Sequence, residues 1–402
     1  MSNTLATCSI VAKTALAVLE NICSFSANVN REWEDEFKSN MARGYAPGNT
    51  INIKRPPRYT WRSGRTAVPQ ATVESTVPLT LQQGGVDLNY LSIEQTTSLT
   101  QLEDKLAAAM ATVANEIDRQ GLAMARLTTF NTLGTPGTLP TSQAAALAAV
   151  TGINQRLDEM GAPRDMRRSL ITNPALNASM IQGFAGLFNS TDKLSKQFGS
   201  GMMVPSLGIT YAMDQNVDLH TNGTAVVATN TVSGAGQTGA TITTAALNGT
   251  VTRGTVITFA NVFAVNPQSR TSTGALAQFV VTADAAASAT SLSISPAIVT
   301  SGAFQNVTVS PASGAVITIF GTASGSYNTN VGFHRDAFTL AMVPMWSPPK
   351  TGVVDVAMET YNGFTLKVTK FYDGVNDNLL MRADVLYGWA APYPELAVKY
   401  AV

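Results

Sequence analysis

The chain has 402 residues, 26 basic against 26 acidic, and only 13% of them charged, where ordinary soluble domains carry roughly 25%. That length buries a large core, in more than one domain. The neutral balance argues against a dedicated nucleic-acid binder, which shows a basic excess, and so little charge on so long a chain fits a surface covered by copies of itself.

In chain order, residues 3–24 place Val11, Ala15, Val18 and Ile22 at helical spacing, which predicts an amphipathic helix. Both cysteines, Cys8 and Cys23, fall within it. Fifteen positions along one helix is about 22 Å, beyond disulfide reach, so they read as free thiols of a reducing compartment. Lys13 and Glu20 interrupt the apolar run that a secretion signal needs. Asn-x-Ser/Thr matches such as Asn248-Gly-Thr then carry no weight. No run of about eighteen apolar residues is present, so no membrane span is expected. The acidic stretch REWEDEF at 31–37 reads as a solvated or partner-facing segment rather than a metal or acid–base site.

The stretch TINIK alternates Ile51 and Ile53 with polar residues and predicts a strand. It runs into IKRPPRYTWRSGRTAVP (53–69), where Lys54, Arg55, Arg58, Arg62 and Arg65 surround Tyr59 and Trp61 with no acid among them. A returning strand is expected over 72–81, with Val73, Val77, Leu79 and Leu81 on one face. Ten residues per arm reach roughly 35 Å. A two-stranded ribbon of that kind is marginal in water and needs a surface to lie on. Arginines and aromatics suit phosphates and bases, and they equally suit the hot spot of a protein interface. The ribbon's need for a docking surface favours the second use.

A long helix is expected from the capping box Thr100–Glu103 to about Leu127, with Leu102, Leu106, Met110, Val113, Ile117 and Met124 on one face and a kink at Gly121. Residues 141–200 read as helices with short breaks. From 221 to 330 the only charges are Arg253, Arg270 and Asp284, and short alternating runs such as TVITFANVFAV and AVITIF predict an all-β barrel or sandwich inserted into an α/β parent.

Little catalytic chemistry is visible. His220 and His334 have no cysteine or acid at ligand spacing, and GAGQTG (234–239) is followed by a strand pattern instead of the helix that a dinucleotide fingerprint needs. No catalytic residue, metal or cofactor is expected.

The order of parts, together with RGTVITFANVFAVNP (253–267), GFHRDAFTLAMVPM (332–345) and the closing RADVLYGWAAPYPELAVKYAV, resembles a tailed-phage major capsid protein of the Hong Kong 97 type, with the inserted β domain of podovirus-type coats. The resemblance implies an α+β capsid fold: N-arm helix and acidic segment (1–45), E-loop hairpin (46–95), spine helix (96–130), A-domain (131–215), inserted barrel-like domain (216–332), A-domain return (333–378), and a last P-domain strand with its tail (379–402). It implies pentamers and hexamers closing an icosahedral shell around double-stranded DNA, which is enclosed without sequence-specific binding. It implies a separate scaffolding protein and a portal as assembly partners, no membrane, and a place in the virion after assembly in the host bacterial cytoplasm. On it, Lys54, Arg55, Arg58, Tyr59, Trp61, Arg62 and Arg65 of the E-loop, and Val11, Val18 and Ile22 of the N-arm, contact neighbouring subunits, while His334 and Arg335 are structural. Some relatives cross-link lysine to asparagine, but no partner for Lys54 can be identified. A β-rich tail or surface adhesin component is the competing reading, favoured by 221–330 alone.

Overall fold

The computed structural model describes residues 24–33, 48–67, 69–91, 102–184, 203, 205–346, 355–361, 364–375 and 378–402. The N-terminal stretch carrying Val11, Val18 and Ile22, both cysteines, the acids at 34–36 and the capping residue Thr100 lie outside these. The chain divides into two compact units: Met1–Ile53, Val77–Gly121 and Thr339–Ala390 form the first, and Lys54–Thr76, Leu122–Phe338 and Ala391–Val402 the second.

In the first unit, helix α1 (Leu102–Thr128) begins, and it buries Met110, Val113, Ala114 and Ile117 along one stripe, as its spacing predicts. Asp118, itself buried, accepts backbone N–H groups from Ser24, Phe25 and Ser26 at 2.7, 3.0 and 3.1 Å. These bonds keep the carboxylate satisfied away from water. Trp389 donates its indole N–H to the Ile117 carbonyl at 3.1 Å and stacks on Phe25 with ring centroids 5.3 Å apart. A Cβ on Gly121 would come within 2.6 Å of Trp389 and 2.8 Å of Phe25. The helix continues unbroken through Gly121, and this glycine makes room for two aromatic rings.

The first unit's sheet runs in the order Thr339–Met342, Asn378–Ala390, Phe364–Asp373, Asp355–Tyr361, and Gln82–Leu91 also pairs with Asn378–Ala390. Three sequence expectations differ from this. The hairpin is short, pairing Thr50–Arg55 with Ser75–Thr80. Pro56, Pro57 and Pro69 cannot donate to a ladder, and the described residues between the two strands are irregular. Residues 82–91, expected in the same hairpin, are instead a strand of the first unit's main sheet. The strands from 339 to 373, expected in the A-domain return, lie in this sheet too. Alternation reports that a segment is a strand and not which strand it pairs with. Ile51, Ile53 and Leu79 are buried as their pattern predicts, packed with Ala341, Val343 and Ala390.

The second unit holds a sheet ordered Thr132–Gly134, Ala397–Ala401, Ser326–His334, Arg168–Thr172, Ile209–Met213. The C-terminal tail is thus a strand of this sheet, separate from Asn378–Ala390 of the first unit. Helices α2 (Gln143–Glu159) and α3 (Pro174–Phe184) pack on it through Val150, Ile153, Leu157, Leu176 and Met180. Strand Arg168–Thr172 falls between them where only helices are expected, because RSLIT, with Leu170 and Ile171 as its only apolar residues, is too short to show a strand period. The Arg168 guanidinium is buried and donates four hydrogen bonds, to Asp158 at 2.7 Å, Asn154 at 2.9 Å and the Ala162 and Pro163 carbonyls at 2.7 and 3.0 Å.

Inserted in this unit is an antiparallel sheet of six strands, ordered Asn230–Thr231, Val316–Ile319, Val256–Val265, Ser272–Val281, Ser291–Ile298, Gly239–Thr243. Bonds from Ser233 N to Thr243 O and from Ala245 N to Thr231 O join its first and last strands, so the sheet closes on itself as a barrel. Its core, with Ile242, Phe259, Val262, Phe279, Leu292, Val307 and Ile317, is made only from residues 225–319. The two chain ends enter side by side, Asn222 N bonding Gly325 O at 2.9 Å and Ser324 N bonding Gly223 O at 2.8 Å. Strand Ser326–His334 already belongs to the neighbouring sheet, which trims the expected 216–332 boundary.

A buried cation joins the barrel to its surroundings. The Lys399 ammonium donates to the Arg126 carbonyl in the last turn of α1 at 3.0 Å and to the Gly254 carbonyl of the barrel at 3.1 Å. Beside it Arg126 pairs with Asp218 at 2.5 Å and reaches His220 Nδ1 at 3.0 Å. A guanidinium can only donate, so Nδ1 accepts and Nε2–H faces Thr255 Oγ1 at 3.1 Å. Burial, aided by Lys399 and Arg126, holds His220 down at about 4, and burial with the Arg126 charge lowers Lys399 to about 7.

Two outcomes are expected. A chain of residues 222–324 alone gives dispersed amide signals and one cooperative melt, and Phe259→Ala weakens it by about 3–5 kcal/mol; a collapsed spectrum contradicts an independent core. The second concerns pH. Unfolded Lys399 titrates near 10.5 and folded Lys399 near 7, so between those values the unfolded chain carries the extra proton and stability rises with pH. The urea midpoint of the full chain should climb from pH 7 to ~9.5, below the range where tyrosines ionise, as the unfolding free energy gains at most about 1.4 kcal/mol per pH unit. Lys399→Met removes the climb, and an unchanged profile in that variant contradicts the assignment.

Candidate assembly surface

The basic arm, Lys54–Thr76, lies within the second unit, and its cations are not all free. Lys54 pairs with Glu74 at 3.3 Å, both exposed. Arg55 and Arg58 converge on one oxygen, Glu395 Oε1, at 2.5 and 3.3 Å. The Arg55 guanidinium also sits 5.3 Å from the centre of the Tyr393 ring, and that of Arg58 lies 5.9 Å from the centre of Phe304. Burial, against the nearby Arg55 charge, pushes the Tyr393 phenol up. Arg270, from the barrel, donates to the Tyr59 carbonyl at 2.9 Å. Three of the five cations expected to contact neighbouring subunits, Lys54, Arg55 and Arg58, thus have an acid of their own chain.

Beyond Tyr59 the arm turns on itself. The Thr60 N–H donates to Gln70 Oε1 at 2.8 Å and Gln70 Nε2 returns a bond to Thr60 O at 2.7 Å. Tyr59 and Thr72 hydroxyls lie 3.1 Å apart. Arg62 donates to the carbonyls of Gly64 and Thr66, the second at 2.5 Å. Arg65 is exposed, and Trp61 is 92% exposed. The structure therefore separates the predicted residues into a tethered base (Lys54, Arg55, Arg58) and a presented tip (Trp61, Arg62, Arg65).

Sequence reading missed Glu395, Tyr393, Phe304 and Arg270, which lie hundreds of positions from the arm, and no local pattern marks them. The first three line a cavity of about 480 Å³ with Phe130, Met160 and Leu276. Its lining carries no histidine or cysteine, and its carboxylate, Glu395, is occupied by two guanidiniums. His334 caps the short turn Arg335–Ala337 and bonds Asp165 at 3.0 Å, a structural role. Among the described residues no group of three or more histidines, cysteines or acids could hold a metal, and no helix is long and apolar enough to cross a membrane.

Comparison with known proteins agrees with this architecture. The family described as "P22 coat protein - gene protein 5" matches residues 71–399. The chain is 29% identical over 87 residues to the "Major capsid protein" of Acyrthosiphon pisum secondary endosymbiont phage 1, a stretch that spans 22% of this chain and 20% of that relative. Among solved structures it is similar to a chain from Mycobacterium phage Che8, with 13% identity, 94% of this chain and 90% of that one covered, and a TM-score of 0.50. It is also similar to a chain in the asymmetric unit of the bacteriophage PhiM1 mature capsid, with 9% identity, 88% and 82% covered, and a TM-score of 0.43. The fold is the α+β phage capsid fold of the Hong Kong 97 type. With most of its length matched, from the hairpin's returning strand to the final sheet strand, the chain belongs to the P22 coat protein family.

Proposed function

We propose that this chain is the shell-forming subunit of a tailed phage, and that the tip of its arm holds a neighbouring copy. Many copies close as pentamers and hexamers into an icosahedral shell around double-stranded DNA, with a separate scaffolding protein and a portal taking part. Assembly takes place in the cytoplasm of the host bacterium. In this reading Thr50–Thr80 is the E-loop, α1 the spine helix, the first unit's main sheet the P-domain, and the second unit the A-domain with its inserted barrel. Lys54, occupied by Glu74, is assigned no cross-link. The family match covers the helices as well as the β module, which favours a coat over a tail or adhesin component.

The observation that carries the reading is Trp61, 92% exposed, with the exposed Arg65 and with Arg62 beside it in the arm. An exposed indole leaves a large apolar surface in water, and Trp and Arg are among the residues enriched at interface hot spots. No loop of this kind improves a lone subunit. It gains only when a partner covers it.

Trp61→Ala combined with Arg62→Glu and Arg65→Glu should leave the subunit's circular dichroism and melting temperature unchanged. It should cut the yield of sedimenting particles by at least about tenfold, since hot-spot residues dominate such contacts. Milder single charge changes should make assembly more sensitive to salt, because screening acts on exposed charge. Normal yield with normal particles contradicts the proposal, and normal particles holding less DNA would assign the tip to nucleic acid instead.

A further inference from the structure

We infer that Glu395 is a positioning residue for assembly, fixing the direction in which the arm presents Trp61, Arg62 and Arg65. The inference rests on the reading of that tip as a subunit contact. Two guanidiniums, 340 and 337 positions away in sequence, meet at a single oxygen of this carboxylate, whose side chain is only 14% exposed. Neither arginine is placed by charge alone. The ring of Tyr393 lies under Arg55 and the ring of Phe304 under Arg58, so each planar head is held on one face by π electrons and at its edge by the carboxylate. Arg270 adds a third attachment at the Tyr59 carbonyl. Past that point the polar contacts of residues 60–72 are within the arm itself, among the described residues.

The result is a lever with a clamped base and a free end. Prolines 56 and 57 stiffen the stretch between the two clamped arginines, because a fixed φ removes backbone freedom. Without the carboxylate the two guanidiniums repel each other, and the base loses the one charge that draws them together. The tip would then sample many directions, and each new subunit contact would have to restrict them again.

Hydrogen exchange of the arm amides and particle yield, both on the full chain, test this. Glu395→Gln keeps the main chain, whose carbonyl accepts from Asn131 Nδ2 at 3.3 Å. It should leave the melting temperature in place, speed exchange over 56–74 about tenfold and lower particle yield about tenfold. Arg55→Gln with Arg58→Gln should do the same without touching the acid. All three changes together should be no worse than either set, because they remove one shared interaction. Additive losses, unchanged exchange, or normal yield from Glu395→Gln would overturn the inference. If Glu395→Gln assembles normally while the Trp61, Arg62 and Arg65 variant does not, the inference alone fails. If that tip variant assembles normally, the subunit-contact reading falls, and this inference with it.

Discussion

One carboxylate serving two guanidiniums is the constraint on which the arm depends. A stretch with three prolines, five cations and two aromatics cannot hold a shape through its own backbone, and only six residues on each side of it pair as strands. Charge gives it a shape. Glu395 gathers Arg55 and Arg58, aromatic faces orient them, and Arg270 holds the next carbonyl. What remains at the tip, with no acid beside it among the described residues, is an indole and two arginines, the chemistry that a partner surface can cover.

The low charge of the rest of the chain follows from how it is built. The barrel is closed and carries its own apolar core, so its surface can be threonine, serine and alanine without loss of order. Its ends enter through adjacent hydrogen bonds, which is why a hundred residues can be inserted into a sheet protein at little cost in loop closure. Three buried charges are satisfied by neighbouring backbone groups and side chains: Asp118 by three backbone N–H groups, Arg168 by two carbonyls, an amide oxygen and a carboxylate, Lys399 by two carbonyls. Burial and the neighbouring Arg126 charge lower the Lys399 pKa, and among the described residues no acid is paired with it.

Much of this fold is legible in the sequence alone. Period 3.6 in Met110, Val113 and Ile117 marks α1, alternation in TVITFANVFAV marks a barrel strand, and the sudden loss of charge near 221 marks the insertion. The order of these parts resembles that of a capsid subunit. Pairing is not legible. Gln82–Leu91 and Asn378–Ala390 alternate like any other strands, and only the fold shows that they are neighbours. Gly121 reads as a weak point of a helix because the rings it admits, Phe25 and Trp389, come from distant segments. Glu395 is invisible for the same reason: in PYPEL it is one acid beside a proline, and its meaning lies in arginines more than three hundred residues away.

The central claim is that the arm's base is tied to its own chain while its tip engages another. An electron cryo-microscopy map of assembled particles at side-chain resolution tests it directly. The account predicts Arg55 and Arg58 still on Glu395, with Trp61 covered by a neighbouring subunit and Arg62 and Arg65 facing that subunit's acids or carbonyls. A map in which the tip points into the DNA-filled interior or into open solvent, with no neighbour against Trp61, would contradict it.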